Sequence, residues 1–420
     1  MYPSGVLLLD SAQEFDAARD EEFFAALPSR PGVVLIEMTE AAAEPYLART
    51  ADIRRAAERL LRAPEAASKR LNLRAVAARM RYRATGSKFE QSVALYHHAR
   101  QVLPGRYRAL LRLRPPVVLK VNLRNAYPRC YVARGIRGDE GFYFGPFASR
   151  RAAQSFAEGF LDLFKIRRCQ IKIRRDPQFP GCIYSEMKMC LAPCFGGCTR
   201  EDYTAEVGRV LEALASRGDA LTARVEQERE AASEAQDFER AAALHKRLDK
   251  VSAALRGLPE LVRRIENLDA VILQRAAEEK AVAVFPLLGG LLAEPLFLRF
   301  GEISGQPRSV EAILRTALHP QMDTDKRRSE KPSEGAGDFE GSEQLGGNLR
   351  GTYGLRTAPA DMAEHLALVA RWFYSKPREG EIFFREGEWP YRRILRACSR
   401  LLAPEGSSQG GAQPPSAAPK

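Results

Sequence analysis

Apolar residues recur along this chain with two different periods, and the switches between them mark out its elements. A lead-in helix is expected in residues 1–28, where EEFFAALP supplies an apolar face. RPGVVLIEMT reads as a strand, because Val33, Val34, Leu35 and Ile36 are β-prone and Pro31-Gly32 marks a turn before them. EPYLARTADIRRAAERLLRA then passes from a short strand into a helix, with Ile53, Ala56, Ala57, Leu60 and Leu61 at helical spacing. KFEQSVALYHHARQVLPGRY holds a further helix. From Val117 to Gly135 the chain reads as strands around a turn, and GFYFGPFASRRAAQSFAEGFLDLF as an aromatic loop followed by a helix.

Three helices come next. Thr199 and Asp202 make a capping pair for the first, which carries Val207, Val210, Leu211 and Leu214. Gly218-Asp219 breaks it, and a second helix runs to about Glu234. Asp237 is placed to cap the third, where Phe238, Ala241, Ala242, Leu248, Val251 and Leu255 form a stripe with small residues at its start. AVILQ, AVAVFPLL and EPLFLRF are strands, with a turn at Gly289-Gly290, and EISGQPRSVEAILRTAL is a helix. Residues 326–351 form a polar, glycine-rich linker, and 352–402 a helix, a short strand pair and a second helix. The tail at 403–420 is disordered by composition. These elements predict a multidomain α+β fold.

Composition adds a partner class. The 420 residues are 45% hydrophobic, enough for several buried cores, and carry a net charge of +12. Between Arg100 and Arg175 there are 18 Lys and Arg against 4 acids, a local surplus of +14. Either an arginine-rich coding bias or a phosphate-binding surface accounts for it. No secretory segment opens the chain and no apolar run approaches the ~20 residues of a membrane span, so a cytoplasmic protein with reduced thiols is expected.

The chemistry concentrates in cysteines. Cys169, Cys182, Cys190, Cys194 and Cys198 fall within thirty residues, and thiolates at such spacing can converge on one metal ion or cluster. LAPCFGGC places two of them in a glycine-rich loop that can fold closely around such a centre. Unpaired buried thiols are the plainer alternative. Cys130, isolated beside a strand, reads as a small buried apolar residue.

The order KIRRC, GCIYSEMKMCLAPC and AQDFERAAALHKRLDKV resembles the middle of UvrC, the nuclease subunit of the bacterial UvrABC excision-repair system, and the similarity extends over about residues 28–315. The resemblance implies a [4Fe-4S] cluster on Cys169, Cys182, Cys190 and Cys194, with zinc as the alternative, while Cys198 has no counterpart. It implies a UVR helical hairpin that docks a UvrB-type partner through Phe238, Glu239, Ala241, Ala242 and Leu248. His245-Lys246 stand where an Arg-Asp pair is usual. DNA contacts are expected from Lys120, Arg124, Arg129, Arg150 and Arg151. Tyr143, Phe144 and Phe147 could stack on a base or anchor a loop on its core. The implied domains are a lead-in (1–28), a GIY-YIG-like domain (29–115), a basic region with the cysteines (116–200), the hairpin (201–257), a β-hairpin/α segment (258–325), the linker, the C-terminal α/β segment (352–402) and the tail.

The GIY-YIG resemblance departs from its family at the catalytic positions. The first tyrosine falls on Val34, the second on Tyr46, the motif lysine on Arg49, the arginine on Ala56 beside Arg54 and Arg55, and the metal-holding glutamate on Leu95. Valine cannot transfer a proton and leucine cannot hold magnesium, so Tyr46, Arg49 and Arg55 are remnants of a site. The expectation is a DNA-binding, UvrC-like excision-repair protein without nuclease activity. The alternatives are a short GIY-YIG endonuclease making a single incision, with Mg or Mn held by Glu90 or another carboxylate, and a redox-responsive DNA-binding protein. No cluster of acids marks a second nuclease between 352 and 402.

Overall fold

The computed structural model describes residues 7, 9–64, 69–139, 141–300, 309–318 and 359–403. The expected linker at 326–351 and all but the first residue of the expected tail lie outside them. Among the described residues the fold is α+β, with twelve α-helices and three antiparallel sheets. No helix among them is long and apolar enough to cross a membrane.

The first sheet is built from β1 (Ser11–Glu14), β2 (Gly32–Met38), β3 (Tyr46–Thr50) and β4 (Ala77–Ala84), in the order β1-β4-β2-β3. Helices α1 (Asp20–Ala26), α2 (Ile53–Leu61) and α3 (Lys88–Val102) cover it. The unbroken apolar run of β2 reflects burial on both faces: Val33 and Leu35 face the core shared with α3, and Val34 and Ile36 the core shared with α1 and α2. The lead-in is therefore not a single helix. Its first part pairs with β4 as a strand, and β4 itself carries Arg79, Arg81 and Arg83 because neighbouring acids neutralise them, Arg79 Nε donating to Glu37 at 2.8 Å.

Next come α4 (Tyr107–Leu110) and the second sheet, formed by β5 (Val117–Asn122), β6 (Cys130–Arg134) and β7 (Gly141–Phe147), with α5 (Arg150–Leu161) against it. GFYFGPF is a strand, not a loop, and every residue of it is buried. Tyr143, Phe144 and Phe147 are core residues, so none offers a ring for base stacking. A short α6 (Ile183–Glu186) lies inside the cysteine segment, and α7 (Arg200–Ala215), α8 (Asp219–Glu234) and α9 (Phe238–Leu255) follow. Their caps match the sequence: Thr199 and Asp202 bond reciprocally, and Asp237 accepts from the Arg240 N–H at 3.0 Å. Gly218 turns α7 into α8 at φ +99°, where a Cβ would lie 2.2 Å from Leu255 Cδ1.

The third sheet holds β9 (Ala270–Arg275), β10 (Ala281–Leu288), β11 (Leu291–Leu292), β12 (Leu296–Arg299) and β13 (Glu381–Phe384), while β8 (Arg263–Arg264) joins β7 at the edge of the second. Helices α10 (Val310–Leu318), α11 (Pro359–Phe373) and α12 (Tyr391–Leu402) pack on it. The strand pair expected within 352–402 is replaced by pairing of β13 with β9, because the apolar side chains of EIFF complete the cores on either face of that sheet. A boundary between 258–325 and 352–402 thus divides one sheet. Helix α3 is the common support: its Phe89, Val93 and Tyr96 share one core with Val33 of β2, Phe285 of β10 and Leu366 of α11. Each such large side chain contributes about 1.5–3 kcal/mol on burial.

Candidate functional site

The residues read as remnants of a GIY-YIG motif, Tyr46, Arg49 and Arg55, do not converge. Along β3 successive side chains point to opposite faces, so Tyr46 packs toward the α1/α2 core while Arg49 emerges on the other side. Arg55 is exposed on α2 and, among the described residues, forms its one ion pair with Asp52, at 3.8 Å. Val34 is 1% and Leu95 5% exposed, and they belong to two different cores. Glu90 is 1% exposed and accepts the Gly86 N–H at 2.8 Å, with Arg83 at 3.7 Å. Burial raises its carboxyl above the usual range, against the pull of the Gly86 N–H and Arg83. A carboxyl so enclosed is not free to take a hydrated magnesium ion.

The cysteines gather without closing. Cys182 precedes α6 and its N–H donates to Ser185 Oγ at 3.0 Å, which fixes the turn. Cys190 Sγ accepts from the Ala192 N–H at 3.3 Å, and Cys194 sits in a tight turn between Ala192 and Gly196, both left-handed. Burial pushes the Cys190 thiol up to about 11, and charge on Cys169, Cys194 and Cys182 adds to the rise. Cys194 is raised by burial and then by Cys182, with Cys169 contributing. Cys198 is raised by burial and by Asp202, and Cys194 is the one cysteine among its influences. Thus Cys169, Cys182, Cys190 and Cys194 occupy one neighbourhood, and Cys198 borders it. All seven cysteines are free thiols, and among the described residues no three His, Cys, Asp or Glu side chains are drawn together closely enough to hold a metal ion. Charge on one of these thiols disfavours charge on the others, an interaction whose sign a bound cation would reverse. Their spacing here does not yet form the ligand shell.

Of the basic residues expected at DNA, Lys120 is a correction. It is 5% exposed, and its ammonium is engaged by Asp139 beneath Tyr143, so it is spent inside the second sheet. Arg124, Arg150 and Arg151 are exposed, the last two in the first turn of α5, and Arg129 stacks 4.5 Å from the Tyr131 ring. Sequence reading passed over Arg112, Arg114, Arg134 and Arg371. With Arg49 and Arg150 they line an open cleft of about 1120 Å³ between the first sheet, the second sheet and α11. The scarcity of acids after Arg100 hinted at three of these four, but Arg371 lies far outside that stretch.

The hairpin residues divide in the same way. Phe238 is 70% exposed, and Glu239 and Ala242 are exposed beside it. Leu248 is a second correction: it is buried with Leu244 and Val251 against α8 and is unavailable to a partner, while Ala241 lies half-buried at the edge of that contact.

Residues 117–213, from β5 almost to the end of α7 and including all five clustered cysteines, match the family described as the UvrC/Cho excinuclease middle domain. The UvrABC system protein C of Desulfatibacillum aliphaticivorans is 30% identical over 198 residues, which cover 47% of this chain and 33% of that protein. The same-named protein of Corynebacterium jeikeium is 28% identical over 253 residues, 54% of this chain and 36% of its own length. That of Moorella thermoacetica is 27% identical over 271 residues, 64% of this chain and 44% of its own length. The matched stretch spans only about a third to under a half of these relatives. No solved structure gives a significant match. The middle segment, with its sheet, its cysteines and the helix that follows, is thus similar to the middle domain of UvrC-family proteins.

Proposed function

We propose that this chain acts in nucleotide excision repair as a DNA-binding component that docks a UvrB-type partner and has lost the nuclease chemistry of its first domain. The observation that supports this reading is a UvrC-type middle segment preceded by buried Val34, Ala56 and Leu95, the positions on which the GIY-YIG resemblance puts catalytic residues. Residues 29–115 then serve as a GIY-YIG-like scaffold, kept for its surface. Arg124, Arg129, Arg150 and Arg151 contribute positive charge toward DNA phosphates.

The α8–α9 hairpin serves as the UVR docking element. Phe238 is the anchor, and Ala242 leaves room for a partner helix to approach closely. Cys169, Cys182, Cys190 and Cys194 serve as ligands for a [4Fe-4S] cluster, or for zinc, and loading releases the protons that burial holds on Cys190 and Cys194. A bound centre would tie the loop between α5 and α7 into one rigid unit beside the hairpin.

The test is an incision assay with the full chain, a damaged or nicked duplex, and Mg or Mn. The reading expects DNA binding with no strand cleavage. Cleavage that disappears in Tyr46→Phe would overturn the loss of chemistry and favour a short active endonuclease.

A further inference from the structure

The cleft between the two N-terminal sheets and α11 carries an unusual charge pattern. Six arginines line it, Arg49, Arg112, Arg114, Arg134, Arg150 and Arg371, and among the described residues no Asp or Glu does. All six are exposed, and among the described residues none of them forms an ion pair, whereas Arg79, Arg83, Arg108 and many others in this chain do. Coding bias scatters arginines; it does not bring six unpaired ones from five separate segments to one concavity. Arg371 fixes the loop that supplies two of them, donating to the Leu111 carbonyl at 2.8 Å and the Arg112 carbonyl at 2.7 Å. Arg112 itself stands at φ +50°, a left-handed backbone setting that turns this loop sharply. Loss of water at the cleft wall, and then the charges of Arg49 and Arg114, make Arg371 easier to deprotonate than an ordinary arginine. The guanidiniums therefore repel one another until an anion arrives.

Several features narrow the anion. The cleft is open and at about 1120 Å³ exceeds the ~300–1,000 Å³ of small-molecule pockets, so it suits a chain passing through. Its cations lie on three converging walls, which reach phosphates from several sides, as a single strand allows and a duplex does not. Tyr374 and Pro115 give it apolar surface for bases. Arg150 also lines a second cleft of about 430 Å³ with Arg129, Arg168 and the single acid Glu158, so the basic track continues along α5 toward the cysteine segment.

We propose that this cleft binds the phosphodiester backbone of a single nucleic-acid strand. The inference rests on the DNA-binding reading above and assigns it a site that the motif residues did not indicate.

The experiment measures binding of the full chain to a fluorescent single-stranded oligonucleotide across a salt series. A duplex of the same sequence and a nucleoside triphosphate serve as competitors. Arg112→Ala/Arg114→Ala is expected to weaken single-strand binding about tenfold or more and to reduce the salt slope by about 1.4, two phosphates at ~0.7 each. Arg134→Ala, from a different wall, is expected to weaken it separately. The charge-matched control Arg392→Ala/Arg396→Ala, on exposed positions of α12, should change the affinity less than twofold. Wild-type binding that neither cleft variant alters would overturn the cleft assignment and leave the DNA-binding reading standing. Absence of binding to any oligonucleotide would overturn both. Preference for the duplex, or equal competition by the triphosphate, would overturn the single-strand assignment.

Discussion

Tyr96 of α3 donates a hydrogen bond of 2.8 Å to Glu364 of α11, across 268 positions of sequence. The same carboxylate accepts from Tyr107 Oη at 2.7 Å and from Arg108 Nε at 2.7 Å, and it is almost fully buried. Burial opposes its charge, but the bonds from Tyr107, Arg108 and Tyr96 outweigh that and hold its pKa below the usual glutamate value. Glu364→Ala would leave two hydroxyls and a guanidinium without their shared acceptor. It is expected to destabilise the chain by about 2–4 kcal/mol, read as a lower urea midpoint with an unchanged slope.

Acid sensitivity follows from the histidines in the same contact. Burial is the main reason that His97 is pulled down to about 4, with His365 and His98 adding repulsion and Arg100 a smaller share. His98 and His365 are also lowered, burial again leading. In the unfolded chain each would titrate near the ordinary ~6.5, so there the unfolded state binds more protons than the native one. Stability is therefore complete above pH ~6.5 and falls as the pH drops toward 4. Thermal melting between pH 7.5 and 4.5 should show this loss, and His97→Gln should reduce it.

Gly218→Ala is expected to damage the hairpin directly. A methyl group there meets Leu255 at 2.2 Å and must adopt a left-handed backbone setting. The combined cost is on the order of 2–4 kcal/mol, visible as a lowered Tm.

Phe238→Ala should behave in the opposite way. The ring is mostly exposed, so its removal is expected to leave Tm within about 1 °C. If it anchors a UvrB-type partner, affinity for that partner falls by about 10- to 30-fold, corresponding to ~1.4–2 kcal/mol. Titration calorimetry on the well-folded variant separates docking from stability.

Cys190→Ser tests the proposed metal centre. Protein purified without oxygen is expected to carry iron and sulfide, or else stoichiometric zinc, and this variant to lose most of it. Cys130→Ser should retain the metal, because that thiol is buried in the second sheet's core and pushed up to about 12 by burial alone. Cys198→Ser should retain most of it too.

Much of the helical part was legible from residue order, since caps such as Thr199 with Asp202 and Asp237 act over three or four residues and need no tertiary partner. The strands were harder. β4 hides behind arginines whose neutralising acids sit on other elements, and the Gly and Pro of β7 signal a loop although the strand is wholly enclosed. Lys120 read as a phosphate contact because its partner Asp139 stands 19 positions on, beyond β6. Spacing pointed to five clustered cysteines and only the resemblance singled out four, whereas the arginine cleft had no signal as a site, because Arg49, Arg134 and Arg371 meet only through packing of separate sheets.

The pairing of β13 with β9 sets an order of events during synthesis. β9 leaves the ribosome more than a hundred residues before β13, its neighbour on the side away from β10, exists, and Met362, Leu366 and Val369, which cover α3, emerge in the same late portion. Until then the nascent chain shows an open strand edge and a bare apolar helix face, both invitations to self-association. Production of the recombinant chain should therefore depend steeply on translation reaching Phe384, and versions halted at residue 318 are expected in inclusion bodies.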